Sequence, residues 1–446
     1  MTDKSFYFDG YDFDAVSATL RMRYSYESGP AFEEVVHFPA ITRDLDEEDK
    51  RAIDNACRLI FLLAGVSYYK AYVPTHLVCK AFPLDKATAS FIETVYRHGL
   101  GEFAYRNNLD LRDKIKIEAQ DTDAPTVATP NLRDELCIPV GGGKDSVVSI
   151  EALKKSGKPA HLFVLTSPAG IAAPIQGCID VSGIPAAKVV RTISPALIAL
   201  NKEGVYNGHV PITAILSAIA TALCLMQGWS TLVMSNEHSA SAPNLRHHDM
   251  DVNHQYSKSL SFEQDFSVYL SAHVVKGFKY FSLLRPLSEA PIVKRFVAHT
   301  AYHPVFRSCN TAFKQDAAQR GKNWCCDCPK CRFVFLAMAP FMLPSSLAGI
   351  FGKNMLDDET QTQGFADLCG FGDYKPFECV GEEEESSLLL RKIATMPEWK
   401  ESRVVSALQG QLPDAPPFDS AWQNLLEYRT PHLVPPEYMR YLDENG

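Results

Sequence analysis

"CIPVGGGKDSVVSIEAL", residues 137–153, sets three consecutive glycines, a lysine, an aspartate and a serine between a short apolar run and a helix-like run. Glycines placed directly after a strand let backbone N–H groups curl around an anion, and the helix that follows points its positive end at the same spot. Two familiar phosphate loops fail against this stretch. A Walker A loop needs glycine where Ile138 stands and a hydroxyl directly after Lys144, where the chain has Asp145. A dinucleotide fingerprint needs glycine where Ser146 stands. The alternative without a ligand is a tight strand-to-helix turn; strand, three glycines and Asp-Ser together favour the anion-binding reading.

Downstream the pattern alternates. Strand-like "LCIPV", "HLFVLTS", "AKVVRTI" and "TLVMSN" are separated by the loop and its helix, a helix around "PIQGCIDVSGI" and a helix over "PITAILSAIATALCLMQGW". Apolar strands between helices predict an α/β domain over residues 131–300, with a mostly parallel, doubly wound sheet covered on both faces. Ligands of such sheets sit beyond the carboxyl ends of the strands. Upstream, residues 5–38 read as strands and "DNACRLIFLLAGVSYYKAYV" as a helix, an α+β domain over residues 1–125 on the substrate side. The segment "DTDAPTVATPN", residues 121–131, has two prolines and no apolar periodicity, and marks the boundary. Residues 301–446 read as a helical region carrying a cysteine cluster.

The 446 residues are 46% hydrophobic, enough for a substantial core, and a net charge of −9 argues against a broad nucleic-acid footprint. One phosphate-bearing small molecule in a local pocket remains allowed. No apolar run reaches the roughly 20 residues of a membrane helix, and the start lacks the basic and apolar parts of a secretion signal, so the cytoplasm is the expected location. The twelve cysteines are then read as thiols or metal ligands rather than disulfides. The acidic run "GEEEESS", residues 381–387, is expected to be a solvated lead-in to the helix that starts at "LLLRKIA".

Candidate chemistry lies in four places. Cys325, Cys328 and Cys331 are spaced C-x2-C-x2-C, and Cys309 can complete a four-thiolate tetrahedron for zinc, with Cys326 spare; the alternative is a reduced thiol cluster without metal. Glu237 and His238 follow a strand directly and are the first acid–base candidates, with His209 and Cys178 in reserve. His247, His248, Asp249, Asp251 and His254 match no known metal spacing and read better as a solvated or substrate-covering loop. Lys294 and Arg295 offer phosphate-neutralising charge, or equally exposed helix charges. The aromatic segments 66–70 and 102–106 are read mainly as core packing.

The loop "GGGKDS" resembles the SGGxDS loop of the PP-loop ATP pyrophosphatases, which cleave ATP between its α- and β-phosphates and transfer AMP. The resemblance implies a nucleotide site at Gly141, Gly142, Gly143, Lys144, Asp145 and Ser146. Gly142 and Gly143 would approach pyrophosphate, Asp145 would face magnesium and Ser146 would bond a phosphate oxygen. Adenine would lie near Thr166 and Ser167. Gly141 stands where the pattern has serine, which removes a hydroxyl contact but no backbone donor. Cysteine arrangements similar to this one follow the nucleotide domain in some PP-loop enzymes, including the 7-cyano-7-deazaguanine synthases.

Within that group, "LLAGVSYYKA", "GLGEFAYRN", "IPVGGGKDSVVSIEAL", "SNEHSASAPN" and "CPKCRFVFLAMAPF" together resemble the MurL family of UDP-N-acetylmuramoyl-L-alanyl-L-glutamate epimerases of peptidoglycan synthesis. The resemblance implies ATP-dependent inversion of the terminal glutamate through an acyl-adenylate; Asp145 is expected at the magnesium, and Glu237 or His238, chosen on position, at the reacting carbon. The expected partners are ATP, Mg2+, structural Zn2+ and the UDP-muramoyl dipeptide, with neither nucleic acid nor membrane. Another adenylating PP-loop enzyme, forming a nitrile or amide or thiolating RNA, is the alternative. A zinc-stabilised nucleotide-binding regulatory module is the non-enzymatic one.

Overall fold

The computed structural model describes residues 5–248, 250–314, 317–372, 376–413 and 417–443, so Asp249 lies outside the described residues. Its strands, numbered along the chain, are β1 (Phe6–Asp14), β2 (Thr19–Tyr26), β3 (Ala31–His37), β4 (His76–Cys79), β5 (Lys116–Ile117), β6 (Arg133–Pro139), β7 (Ala160–Thr166), β8 (Ala186–Thr192), β9 (Trp229–Met234), β10 (Leu245–His247), β11 (Met250–Val252) and β12 (Lys279–Ser282). Ten of them form one sheet in the order β12-β9-β6-β7-β8-β3-β2-β1-β4-β5, while β10 and β11 make a separate hairpin. From β12 to β8 every pair is parallel. β3, β2 and β1 then continue the sheet antiparallel, and β4 and β5 close it parallel. The chain is thus α/β with a large, mostly parallel mixed sheet.

The junction between the two runs of strands pairs Val35 with Thr192 and His37 with Val190. Beside it, Arg191 donates to Glu34 at 2.7 Å and Tyr68 donates to the same carboxylate at 2.8 Å, all buried. A buried ion pair is tolerable only when its remaining lone pairs are satisfied in this way. Tyr68, Tyr69 and Phe103 from the two aromatic segments are fully buried core residues.

Alternate residues of β6, β7 and β9 face opposite cores, as the twofold period requires. Cys137, Phe163 and Leu232 join the core covered by the helices Glu47–Ala64 and Ile212–Gln227. Leu136, Ile138, Leu162, Val164 and Val233 join the core shared with the helices Lys144–Lys154 and Glu289–Val297 and with the helical region beyond residue 305. The Glu47–Ala64 helix begins at a reciprocal cap between Asp46 and Asp49. The Ile212–Gln227 helix is apolar almost all round because it lies between that helix and the sheet.

Strand order reverses between β6 and β9: the chain runs from β6 outward to β7 and β8, then returns to place β9 on the other side of β6. Such a switch point opens a crevice at the carboxyl ends of the strands. The acidic run corrects its expectation. Its helix starts inside the run, at Glu383, and Glu385 is buried, accepting from Ala290 N at 2.8 Å. Among the described residues no helix is long and apolar enough to cross a membrane.

Candidate active site

The glycine loop sits in that crevice. Gly142 has φ +77°, and a Cβ there would fall 2.9 Å from Ile175 N and 3.0 Å from Pro174 C, so backbone packing as well as conformation demands glycine. Gly141 has open space where its Cβ would be. Gly143 caps the Lys144–Lys154 helix without a side-chain hydrogen bond to the first turn, leaving the helix's leading N–H groups facing the crevice. The loop is tied to the later chain by Arg307 N, which donates to Gly142 O at 2.9 Å.

Around it lies a cavity of about 340 Å³, the size of a small-molecule site. Gly141, Gly143, Lys144, Asp145 and Ser146 form one side; Glu237, Gln255, Lys258, Glu289, Ser308, Lys330 and Cys379 face them. Lys144 is 3% exposed, with Nζ 2.5 Å from both Asp145 and Glu289. Burial opposes its charge, but Asp145, Glu289 and Glu237 together hold the ammonium's pKa well above its ordinary value. Glu289 is pushed well above the carboxylate range by burial, against Lys144 and with the help of Asp145, Glu237 and Glu385. The site is thus a crowd of carboxyl groups around a buried ammonium.

The facing wall hangs on Arg285, which is 1% exposed. Its guanidinium donates to Glu263 at 3.0 and 3.1 Å, to Glu237 O at 2.5 Å and to Lys258 O at 2.5 Å. One rigid fork therefore fixes the backbone of two cavity residues at once. Lys258 Nζ in turn donates to Cys379 Sγ at 3.6 Å. His254 Nδ1 lies 2.5 Å from Glu102 Oε2, beside a smaller cavity lined by Glu237, His254, Lys258 and Cys379.

The structure brings together Gly141, Gly143, Lys144, Asp145, Ser146 and Glu237 in the main cavity, whose lining does not include Thr166, Ser167, His238, Lys294 or Arg295. His238 lines a different cavity, of about 250 Å³, with Glu382, Glu385 and Arg429. Glu237 has extended backbone, so neighbouring side chains leave the chain on opposite sides. Arg295 is spent on Leu442 O, at 2.6 and 3.1 Å, and Lys294 is exposed on the same helix; only that helix's first residue, Glu289, reaches the cavity. Thr166 ends β7 and Ser167 follows it, with Thr166 Oγ1 donating to Gly170 O at 2.7 Å, on the far side of β6 from the switch point. Cys178 is packed behind Gly142 and burial pushes its thiol up to about 12. His209 joins Glu102, 3.9 Å away, and His254. His247 belongs to the β10–β11 hairpin, with His248 at its turn.

The four cysteines do converge. The Sγ atoms of Cys309, Cys325, Cys328 and Cys331 all lie within 4.8 Å of one another, with Cys325–Cys331 at 3.7 Å and Cys328–Cys331 at 3.5 Å. A tetrahedron of sulfurs on zinc, with bonds of about 2.3 Å, has edges of about 3.8 Å. Hydrogen bonds from Cys328 and Cys331 pull the Cys309 thiol well below its ordinary value. Backbone amides of Cys325 and Cys328 donate to neighbouring sulfurs at 3.4 Å, as around a metal thiolate. Cys326 points away, to Phe351 O at 3.3 Å.

Fold and site together define an α/β protein whose glycine loop opens onto a charged cavity at the sheet's switch point. The chain matches the MurL N-terminal domain over residues 1–283 and the MurL C-terminal domain over residues 305–422, and it belongs to the MurL family. It is 40% identical to a protein of Xanthomonas oryzae pv. oryzae named UDP-N-acetyl-alpha-D-muramoyl-L-alanyl-L-glutamate epimerase, over 95% of this chain and 93% of that one. Proteins of the same name from Micromonospora sp. and Salinispora tropica are 39% and 38% identical, over 98% and 97% of this chain and 97% and 94% of theirs.

Proposed function

We propose that this chain is an isomerase that inverts the terminal L-glutamate of UDP-N-acetylmuramoyl-L-alanyl-L-glutamate to D-glutamate, using ATP to make an acyl-adenylate. The observation that carries this reading is the glycine loop, opening with Asp145, Glu237 and Glu289 onto one cavity, in a chain of a family whose curated relatives are named for that epimerisation. Removing the α-proton beside an ionised carboxylate is very unfavourable. Converting that carboxylate to an acyl phosphate ester lets its carbonyl take the charge as an enolate, and each unit by which the carbon acid's pKa falls is worth about 1.4 kcal/mol.

In this reading the chain is of the PP-loop pyrophosphatase type and acts in the cytoplasm. The loop's N–H groups bind the departing pyrophosphate, and Lys144 turns from its carboxylates to phosphate. Asp145 and Glu289 offer the hard oxygen donors that suit Mg2+, which would neutralise charge on the departing pyrophosphate. Glu237 serves as an acid–base group. Zinc fits the four-cysteine cluster and, with no open position, has a structural role, fixing Ser308 and Lys330 next to the ligands Cys309 and Cys331.

Chiral analysis of glutamate released from the product, with and without ATP and magnesium, tests the reading. Inversion only with hydrolysable ATP, accompanied by AMP, is expected; AMP formation with glutamate remaining entirely L overturns the epimerase and leaves an adenylating enzyme.

A further inference from the structure

We propose that Cys379 is one of the two proton carriers at the reacting carbon, with Lys258 and the His254–Glu102 pair behind it as positioning residues. The inference rests on the epimerase reading and extends it to Cys379 and Lys258, which no sequence motif marks.

Cys379 lines both the main cavity and the smaller one beside it, where it meets Glu237 and Lys258. Three cations face it: Lys258, whose Nζ donates to the sulfur at 3.6 Å, His254 from the same loop, and Lys330, whose own counterion is Glu378 at 3.4 Å. His254 is backed by Glu102 at 2.5 Å, and Arg106 holds that carboxylate from the other side at 2.6 Å. The backbone N–H of His254 donates to Asn244 Oδ1 at 2.8 Å, which fixes the loop carrying it. The neighbouring His209 stays neutral, because burial pushes it down to about 4.

This arrangement sets Cys379 apart from the ordinary thiols of the chain. Burial alone pushes Cys369 up to about 12. At Cys379 burial acts in the same direction, yet Lys258, His254 and Lys330 overcome it and bring the thiol below its ordinary value. Burial opposes the charge on His254 as well, but Cys379 and Glu102 raise the imidazole to about 9. The wall therefore sets an imidazolium beside a thiol whose ionisation its cations favour, in the lining of the cavity that holds the glycine loop.

A thiolate there removes the α-proton of the activated glutamate: the Cα–H bond breaks, an S–H bond forms, and the electron pair moves onto the adenylate carbonyl as an enolate. A protonated group on the opposite face then delivers its proton to Cα. The two carriers finish with exchanged protonation and reset through solvent. Thiolate basicity suits an activated carbon acid better than an unperturbed thiol of pKa about 8.5, nearly all of it protonated at pH 7.

The test follows two readouts. Iodoacetamide labelling of the wild-type protein, with peptide mass spectrometry to separate Cys379 from the cluster cysteines, should show the Cys379 profile rising at lower pH than that of an ordinary thiol. Labelling should be slowed by ATP and the UDP-muramoyl dipeptide and should remove inversion. Glu102→Gln should lower the Cys379 labelling rate at pH 7 by about 10-fold while moving the rise of the profile to higher pH, a change that a merely structural carboxylate would not cause. In heavy water, Cys379→Ala and Cys379→Ser should each lower the ratio of α-deuterium uptake to AMP formed by at least about 100-fold. An ordinary thiol profile at Cys379, full inversion by the labelled protein, or an unchanged deuterium-to-AMP ratio in either variant overturns the proposal. Wild-type protein that forms AMP without inverting glutamate sinks the epimerase reading instead.

Discussion

One wall of the cavity comes from the single stretch of residues 139–146, while the wall facing it is gathered from residues 237, 255, 258, 289, 308, 330 and 379. The first wall works mostly through backbone: glycines, a helix start and one buried lysine. The second works through side chains held by one another, Arg285 clamping Glu237 and Lys258, and Glu102 backing His254. A contiguous loop can bind the same anion in any protein that needs one, whereas a gathered wall is particular to one substrate. The expected division is therefore phosphate chemistry on the first wall and on Glu289, which Lys144 ties to it, and glutamate chemistry on the rest of the second.

The sharpest way to break that division is Asp145→Asn. If the first wall handles phosphate and its metal, the variant keeps its fold and melting temperature but loses AMP formation by roughly 10²- to 10³-fold, since one preorganised group that stabilises developing charge is worth about that much. AMP production near the wild-type rate would remove Asp145 from the phosphate site.

Next in size is the support behind the second wall. Cys328→Ser should lower the zinc content of chelator-washed protein from about one per chain to well below it, and should cost roughly 10- to 100-fold in activity, the usual penalty for disturbing groups that orient a site. The loss should appear because Cys309 and Cys331 adjoin Ser308 and Lys330 in the cavity lining. Elemental analysis that finds no zinc in the wild type would return the cluster to plain thiols.

The two walls also differ in how much of them could be read from the sequence. Residues 141–146 were legible because a tight strand-to-helix turn demands glycine at particular places, and Gly142 shows why: φ +77° with packing on Ile175 leaves no room for a Cβ. Alternating strands and helices gave the parallel half of the sheet for the same local reason. The β3–β8 junction was not legible, since pairing between residues 35–37 and 190–192 leaves no local trace in either strand. Nor was the gathered wall. Cys379 looks like any lone cysteine, Lys258 belongs to no motif, and "LSEAPIVKRF" drew attention to Lys294 and Arg295 when its cavity residue is Glu289. Glu237 was legible from its place after a strand, but His238, one residue on, was carried away by the alternation of an extended backbone.

Within the first wall, neighbouring glycines separate conformation from space. Gly142→Ala forces a left-handed backbone on a residue with a Cβ and presses it on Ile175, costing about 2 kcal/mol of stability and lowering the melting temperature. Gly141→Ala meets nothing within 4 Å and should melt with the wild type, while projecting a methyl into the cavity and raising the apparent KM for ATP several-fold. Equal melting temperatures for the two variants would contradict the packing argument.

The smallest effect concerns Glu385, which lies behind the second wall and accepts the Ala290 N–H at the start of the helix that carries Glu289. Burial raises its carboxyl to about 7, against the backbone N–H groups of Ala290 and Glu289 that favour the charged form. A carboxyl whose folded-state value lies above its unfolded value contributes stability that is complete below the unfolded value, near 4.5, and is lost as pH rises through about 7. The loss is at most about 3 kcal/mol by that shift, and only a few degrees of melting temperature in a chain of this size. Glu385→Gln keeps the acceptor oxygen for Ala290 and removes the titration. The melting temperature of the variant relative to wild type should therefore rise between about pH 4.5 and pH 7 and level off above, because only the wild type must ionise a buried group. Thermal melts of both proteins across that range decide it: parallel curves would mean that Glu385 titrates like a solvated carboxylate, and that the crowding of Glu289, Asp145 and Glu237 does not extend behind the wall.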